Sequence, residues 1–174
     1  MRRILIIGNS GSGKSTLARQ MSEILGIPAI YIDALRFLEN KNWVETPKKE
    51  FQAKIAAAVS ADEWIFEGCG TSTLPQRIER CDTIIFLDFN RFFCLYYAIK
   101  RRIQIRQKPR PELPKGCIDK IDKQFLKWIF WDYSKRSRPL ILKMIYASDK
   151  PLHHLKKRKE VDQFISELQE VLTY

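Results

Sequence analysis

The chain lacks the long hydrophobic runs that mark membrane spans and secretory leaders. Its longest uninterrupted apolar run, FFCLYYAI, covers only residues 92–99, whereas a membrane-spanning helix needs about 20 apolar residues. Only four apolar residues follow the basic pair near the start, fewer than the roughly 7 to 15 of a signal peptide. We therefore expect no membrane association and a cytoplasmic location.

The chain also lacks the cysteine patterns of metal and disulfide frameworks. Its four cysteines form no C-x-x-C pair and have no histidine at zinc spacing, so we expect reduced thiols. Glycine and proline are scarce, with 7 and 8 residues, and no repeat or flexible linker divides the 174 residues. This length supports one hydrophobic core, which predicts a single domain spanning residues 1–174.

Basic residues outnumber acidic residues in this chain. The chain has 31 Lys and Arg against 20 Asp and Glu, a net charge of +11. Seven of these cations, with one glutamate, lie in KRRIQIRQKPRPELPK at 100–115. Such a segment attracts polyanions, but ATP and nucleic acid are both polyanions, so charge alone does not choose between them.

Short apolar runs alternate with longer amphipathic stretches, and this alternation is typical of α/β proteins with a parallel sheet. The runs predict five strands, at 3–7, 29–32, 63–66, 83–87 and 151–155. The stretches predict helices at 14–25, 47–60 with Thr46 as N-cap, 90–106, 118–133, 138–147 and 160–172. Helices on both faces of the sheet give a three-layer α/β/α arrangement.

The segment GNSGSGKS at 8–15 matches the G-x-x-x-x-G-K-[ST] pattern of a P-loop, between a predicted strand and a predicted helix. Glycines allow the backbone to approach phosphate oxygens closely, so that successive N–H groups point at them. The residues expected to bind ATP phosphates are Gly8, Asn9, Ser10, Gly11, Ser12, Gly13, Lys14, Ser15 and Thr16. Lys14 is expected to reach the β- and γ-phosphates, and the Ser15 hydroxyl to ligand Mg²⁺.

Three acids end predicted strands: Asp33, Glu67 and Asp88. Ligands bind at the carboxyl ends of parallel strands in open α/β sheets, so each acid is a candidate for the site. Asp33 is equally explained as a helix N-cap. Glu67 precedes small residues that would admit a ligand, and Asp88 fits the hydrophobic-run-plus-Asp form of a Walker B strand. The residues alone leave the choice of metal-binding acid open.

A polar, proline-punctuated segment at 107–116 predicts a lid of about residues 101–118. Arg102 and Arg106 are four residues apart, so a helix would present both on one face. With Arg110 they are candidates to clamp ATP phosphates when the lid closes. Each alone is equally explained as a solvated surface residue. Arg77 and Arg80 are candidates to hold an anionic acceptor, or to form the polar face of a short helix.

Several stretches together resemble one family, the adenylate-kinase-related P-loop proteins known as DNA topology modulation proteins, or FlaR-like proteins. The matching stretches are GNSGSGKSTLAR, YIDAL, NWVETPKKEF, EWIFEG, RCDTIIFLDF, KRRIQIR, RPELPKGC, FLKWIF and HLKKRKEVDQFI. The resemblance implies a P-loop NTPase fold of nucleoside-monophosphate-kinase type, with a five-stranded parallel sheet and an arginine-bearing helical lid.

The resemblance also implies roles. It puts Asp33 at the acceptor side, Glu67 beside Mg²⁺ in preference to Asp88, and Arg102, Arg106 and Arg110 in the lid. The chain departs from the family at 67–70, where it reads Glu-Gly-Cys-Gly instead of the usual Asp-Gly-Asn-Tyr.

These residues predict an ATP-dependent kinase of a small acceptor, such as a nucleotide or nucleoside. ATP and Mg²⁺ are the expected cofactors, and the chain is expected to be a monomer or homodimer. The expected catalytic residues are Lys14, Asp33, Glu67, Arg102 and Arg106, with Ser15 and Glu67 on the metal. The alternative is a nucleic-acid-associated P-loop NTPase that regulates DNA topology.

Overall fold

Five parallel strands form one sheet in the computed structural model, which describes residues 1–105, 112–117 and 121–173. Their order is β2-β3-β1-β4-β5. The strands are β1 (Arg3–Gly8), β2 (Ala29–Tyr31), β3 (Trp64–Glu67), β4 (Thr83–Leu87) and β5 (Leu152–Leu155). All five predicted strands are confirmed, with ends displaced by no more than one residue.

Eight α-helices, one 3₁₀ turn and one π-helical segment accompany the strands in the described part of the chain. They are α1 (Lys14–Leu25), α2 (Ile32–Arg36), α3 (Lys48–Val59), the 3₁₀ turn Thr71–Thr73, α4 (Leu74–Arg80), α5 (Arg91–Ile105), α6 (Lys123–Lys127), the π-helical segment Trp128–Ser137, α7 (Arg138–Tyr146) and α8 (Arg158–Thr173). The last three elements before β5 form one uninterrupted helical rod over 123–146.

The central strand β1 is apolar on both faces because helices cover both sides of the sheet. Ile4 and Ile6 belong to a core cluster that includes side chains of α1, α5 and α8. Leu5 and Ile7 point the other way, into a cluster with α3, α4 and α7. The three-layer α/β/α prediction is therefore confirmed.

One predicted N-cap and one predicted helix start are wrong. The Thr46 side chain does not cap α3, because its Oγ1 donates to the carbonyl oxygen of Leu35 at 3.1 Å and Pro47 takes the N-cap position. The helix predicted from residue 118 begins at Lys123, where the Asp122 carboxylate accepts from the backbone N–H of Phe125 at 2.8 Å. In both places a side-chain hydrogen bond decides the boundary.

The predicted lid is described only in part. Residues 101–105 belong to α5, residues 112–117 form turns, and the sites predicted at Arg106 and Arg110 lie outside the described residues. The backbone N–H of Asn40 donates to the carbonyl oxygen of Lys115 at 2.6 Å. This bond joins the 112–117 segment to a hairpin at 37–45, which the bridge between Phe37 and Glu45 closes.

No helix within the described ranges is both long and apolar enough to cross a bilayer. The four cysteines, Cys69, Cys81, Cys94 and Cys117, are all unpaired in the structure.

Substituting Gly11 tests how tightly the P-loop packs against α5. Gly11 has φ +81, and a Cβ there would collide with the carbonyl oxygen of Cys94. We expect Gly11→Ala to lower the free energy of unfolding by about 2–4 kcal/mol, because backbone strain and overpacking both contribute. Urea denaturation measures the change.

Gly26→Ala is the matched control. Gly26 also has a left-handed φ, +69, but a Cβ there would meet no atom within 4 Å. This control measures only the cost of placing alanine in a left-handed backbone conformation, about 1–2 kcal/mol. Equal losses of unfolding free energy in the two variants would show that contact with α5 adds nothing to the cost of Gly11→Ala.

Candidate functional site

The P-loop joins the carboxyl end of β1 to the start of α1, and the Asn9 side chain ties it to the π-helical segment. Asn9 is 1% exposed, and its Nδ2 donates to the carbonyl oxygen of Ile129 in the π-helical segment at 2.8 Å. The Oδ1 of Asn9 accepts from the backbone N–H of Ser10, also at 2.8 Å. The Asn9 side chain therefore fixes both the curvature of the loop and its contact with the helical layer.

Lys14 and Glu67 meet beneath this loop. The Nζ of Lys14 donates to the carbonyl oxygen of Asn9 at 2.9 Å and lies 3.5 Å from Oε1 of Glu67. Both side chains are buried. Glu67 lies there because β3 pairs with β1 in parallel, with Glu67 in register with Ile6. The loop thus holds an ammonium and a carboxylate side by side.

One polar atom of the loop has no partner. The Ser12 hydroxyl is buried and makes no hydrogen bond within the described structure. Burying a hydroxyl without a partner is costly, and Ser12 lines the cavity above the loop. An anionic oxygen bound in the cradle would supply an acceptor for it.

A cavity of about 1320 Å³ opens over the P-loop. Residues 10–16 of the loop form its floor, and Glu67, Gly68, Cys69 and Gly70 form one side. Asp33 and the 37–45 hairpin contribute the wall beyond Glu67, and α5 contributes the wall facing it. The cavity therefore continues from the predicted phosphate cradle to the predicted acceptor side.

Asp33 lies in the first turn of α2 and lines the cavity with an exposed side chain. Tyr31 takes the N-cap position of α2, without a side-chain capping bond. The explanation of Asp33 as an N-cap is therefore wrong, and Asp33 lines the cavity together with Ile32 and Arg36.

Asp88 belongs to a separate network. Its two carboxylate oxygens accept from Nε and Nη2 of Arg138, each at 2.7 Å, and Oδ2 lies 2.9 Å from Nε2 of His154. Burial raises the pKa of Asp88, but the hydrogen bonds from Arg138 and His154 outweigh it, so the pKa lies below its ordinary value. Asp88 is not among the cavity-lining residues. Among the described strand-end acids, Glu67 is the one beside the P-loop lysine.

The two neighbouring arginines near the end of α5 differ in their access to the cavity. One face of α5 lines the cavity with Phe93, Tyr97, Lys100, Arg101 and Gln104. Arg102 is not among the lining residues, although the sequence favoured it, because neighbouring residues on a helix point about 100° apart. Arg101 is therefore the arginine that α5 brings to the cavity.

Arg77 is not available to an acceptor. Its side chain is 0% exposed, and it donates to the carbonyl oxygens of Gly68 and Gly70, both at 2.7 Å, and more weakly to those of Cys69 and Thr73 at 3.4 Å. Burial lowers its pKa to about 10, so it remains a cation at neutral pH. Both interpretations of Arg77 from sequence, an anion site and a polar helix face, are wrong. Through these hydrogen bonds Arg77 stabilises the conformation of the 68–70 segment.

Arg158 is a cavity residue that is not among the predicted site residues. It lines the cavity at the start of α8, and its Nη1 lies 3.5 Å from where a Cβ of Gly13 would be. Its Nε also donates to Asp162 at 3.1 Å. The only signal in the sequence is a basic run after the last predicted strand, a pattern that ordinarily indicates a solvated turn.

The site can bind a polyphosphate. A helix N-terminus favours anions, and α1 begins in the loop itself. Lys14, Arg101 and Arg158 line the same cavity. These three cations lie on α1, α5 and α8, so a chain of phosphates bound over the loop would meet positive charge on more than one side.

Comparisons with known proteins agree with this arrangement. The model of the ATPase family associated with various cellular activities (AAA) matches residues 4–88, just under half of the chain. Shikimate kinase from Bacteroides thetaiotaomicron aligns with a TM-score of 0.54 and 17% identity, covering 99% of each chain. Shikimate kinase from Acinetobacter baumannii, solved in complex with shikimate, aligns with a TM-score of 0.56 and 14% identity. This alignment covers 99% of this chain and 94% of that one. These similarities show the P-loop NTPase fold.

Replacing Arg77 by lysine tests its role in shaping the 68–70 segment. Lysine has a single donor nitrogen and cannot reach carbonyl oxygens on several sides at once. We expect Arg77→Lys to lower the free energy of unfolding by about 2–4 kcal/mol, because buried carbonyls lose their partners. Arg80→Lys, on the same helix but exposed, is expected to cost less than about 0.5 kcal/mol. Similar urea midpoints for the two variants would refute this role.

The Asp88 network predicts a pH dependence of stability. Because the pKa of Asp88 is lower in the folded protein than in the unfolded chain, its contribution is present above about pH 4 and is lost as pH falls through the folded pKa. We expect Asp88→Asn to cost about 1–3 kcal/mol at pH 7 and progressively less toward pH 2. Chemical denaturation at several pH values measures this difference. A cost that stays constant with pH would contradict it.

Proposed function

We propose that the protein is a kinase that transfers the γ-phosphoryl group of ATP to a small acceptor. The observation that carries this proposal is the pairing of Lys14 with Glu67 at 3.5 Å inside a cavity that extends to Asp33. Motors, switches and kinases all need the phosphate cradle and an acid near Mg²⁺, whereas a kinase also needs space for an acceptor beyond the γ-phosphate. This cavity continues past Glu67 to Asp33 and offers that space.

The part of the cavity over residues 10–16 of the P-loop, here called the donor half, holds the triphosphate. Backbone N–H groups of the loop would bind the phosphate oxygens, and the Ser12 hydroxyl would gain its missing partner. Lys14 would move from the Asn9 carbonyl to the β- and γ-phosphates. Arg101 and Arg158 would neutralise charge from the two sides, and Arg106 and Arg110 remain predicted lid contacts.

The residues present fit Mg²⁺. This ion is ordinarily held by one or two protein oxygens together with phosphates and water, so the absence of a cluster of three or more potential ligands among the described residues is no obstacle. Ser15 and Glu67 both line the cavity at the loop and would hold the ion, Glu67 directly or through water. When bound, the ion neutralises charge on the β- and γ-phosphates.

The acceptor would bind between Asp33 and the 37–45 hairpin. An exposed carboxylate in a cavity wall can orient a hydroxyl group and take its proton during transfer. We assign this role to Asp33, and its position in the cavity lining, on the acceptor side of Glu67, supports the assignment. Arg77 supports this half by holding the 68–70 segment in place.

The alternative, a nucleic-acid-associated NTPase of the FlaR-like type, has weaker support. Aromatic side chains are exposed on α5 and the π-helical segment, as a stacking platform would require. Yet the protein's own cations already cover two of these rings. The Nζ of Lys135 lies 4.2 Å from the Trp131 ring centre, and the guanidinium of Arg91 lies 5.5 Å from that of Phe92. We therefore favour the kinase.

Nucleotide binding is tested with Lys14→Ala. ATP with Mg²⁺ at 100 times its dissociation constant should stabilise the wild-type protein by about 2.7 kcal/mol, seen as a rise in Tm. We expect Lys14→Ala to lose this rise, whereas the exposed Lys143→Ala should keep it. An unchanged rise in Lys14→Ala would show that the P-loop is not the binding site.

Transfer is tested with labelled ATP, Mg²⁺ and a panel of nucleosides, nucleotides and sugars. We expect one class to be phosphorylated, and Asp33→Asn to lower kcat by about 10²–10⁴-fold, the usual contribution of general base catalysis, with the ATP-induced rise in Tm retained. ATP binding without transfer to any compound would refute the kinase.

A further inference from the structure

We propose that the outer face of α5 binds an acidic amphipathic helix of a partner protein. Four exposed apolar residues form a narrow stripe on this face, and basic side chains border it. This stripe, here called the α5 seam, consists of Phe92, Tyr96, Ile99 and Ile103. None of the four lines the cavity, so a partner bound there would be separate from the proposed ATP and acceptor sites.

The α5 seam has the spacing of one side of a coiled coil. Its residues follow one another at intervals of four, three and four positions, the order of alternating d and a positions in a heptad repeat. At about 100° per residue they lie within about 60° of one another around the helix. A stripe this narrow is typical of helix pairing, whereas a helix that packs on a broad surface has an apolar face of about 100° or more.

The α5 seam is exposed, although its residue types are usually buried. The exposed fractions are 60% for Phe92, 59% for Tyr96, 40% for Ile99 and 62% for Ile103. The opposite side of the helix is fixed in the fold, because Cys94 and Ala98 are 0% exposed and are the residues that a Cβ on Gly11 would meet. Because turning the α5 seam inward would break this contact with the P-loop, only another molecule can cover it.

Positive charge borders the α5 seam on both sides. By the same spacing of about 100° per residue, Lys100 and Arg102 lie about 70–90° from its centre in opposite directions. They occupy the e and g positions of the heptad, where charged residues of paired helices meet. The helix itself contains no Asp or Glu. A partner helix with glutamates at its own e and g positions would therefore meet complementary charge along both edges.

The cations beside the α5 seam are not neutralised by acids in the described part of the chain. Arg91 and Lys100 lie over aromatic rings of α5, 5.5 and 5.9 Å from the ring centres, and such contacts leave the positive charge in place. Neither of them, nor Arg102, forms an ion pair with a carboxylate among the described residues. The one acid of the neighbouring π-helical segment, Asp132, lies 3.9 Å from Arg136. Carboxylates of a partner would therefore be the first to pair with these cations.

Other occupants fit the α5 seam less well. A second copy of this chain would bring the same cations and no acid from its own α5, and a stable dimer needs about 20–30 residues a side. A membrane surface favours an apolar face wider than this stripe. Single-stranded nucleic acid needs open ring faces for its bases, and Arg91 and Lys100 lie over the rings of Phe92 and Tyr96. Charge and width together favour an acidic helix.

Two synthetic three-heptad peptides test the preference for acid. Both carry leucine at a and d, and they differ only in having glutamate or lysine at e and g. Each labelled peptide is titrated with the purified 174-residue chain, and fluorescence anisotropy gives its Kd. We expect a Kd at least about 10-fold lower for the acidic peptide, and a smaller difference in high salt, which screens exposed charges. Equal Kd values, or binding of neither peptide, would overturn the proposal.

Ile103→Glu tests the α5 seam itself. A carboxylate there would be buried without a partner against the leucines of the acidic peptide, so its Kd should rise at least about 10-fold. Ile99→Glu changes the same stripe and should act in the same direction. Val171→Glu is the matched control, because Val171 is 75% exposed on α8, and its Kd should stay at the wild-type value. An unchanged Kd in both seam variants would overturn the proposal.

Arg102→Gln tests the charge beside the stripe. Loss of this cation should lower the ratio of the two peptides' Kd values at least about 3-fold, whereas Lys143→Gln, at an exposed lysine of α7, should leave it unchanged. An equal ratio in both variants would refute the charge assignment. Urea midpoints show that each variant is folded, as expected because none of the substituted residues is buried.

The other occupants would give different results. If a second copy covered the α5 seam, sedimentation of the protein alone would show a dimer that Ile103→Glu dissociates. If a membrane or a nucleic acid covered it, phosphatidylserine vesicles or oligodeoxythymidylate would bind more tightly than the acidic peptide, and Ile103→Glu would remove that binding. Any of these results would overturn the assignment of an acidic helix, and the absence of all three supports it.

Discussion

The parallel pairing of β1 with β3 is the constraint on which the site depends. Ile6 lies in register with Glu67, and the backbone N–H of Gly68 donates to the carbonyl oxygen of Ile6 at 3.1 Å. A slip of one residue would turn the Glu67 side chain to the other face of the sheet. Because β1 also ends in the P-loop, this register alone brings the carboxylate to the lysine, and the cavity extends outward from that point.

Two acids at strand ends on either side of β1 show how surroundings decide function. Glu67 ends β3 and Asp88 follows β4, and both strands pair with β1. Asp88 is held by Arg138 and His154, which satisfy its oxygens and stabilise its charge. Glu67 faces an ammonium that a nucleotide would draw away. An acid whose partner is expected to leave is available for a metal, whereas an acid in a closed network stabilises the fold.

The sequence predicted the sheet and the phosphate cradle because both depend on local patterns. Buried strands need apolar runs, and the P-loop needs glycines, lysine and serine at fixed spacing. Arg77, the Asp88 network and the choice of Arg101 over Arg102 were not predictable in this way. Each depends on which distant backbone or side chain the fold brings near, and no spacing within the chain encodes that contact. The short helix α2 was also missed, because five residues are too few to show a period.

The proposed acceptor wall, which is the 37–45 hairpin, and the phosphate cradle differ in how closely they pack against the hydrophobic core. Asn9 and Gly11 are wedged against α5 and the π-helical segment, so almost any change there disturbs the core. No described residue of the 37–45 hairpin belongs to either hydrophobic cluster. Mutations can therefore accumulate in the hairpin with little loss of folding stability. Residues of the hairpin, where we propose that the acceptor binds, can therefore be exchanged at less cost to folding than the residues of the phosphate cradle.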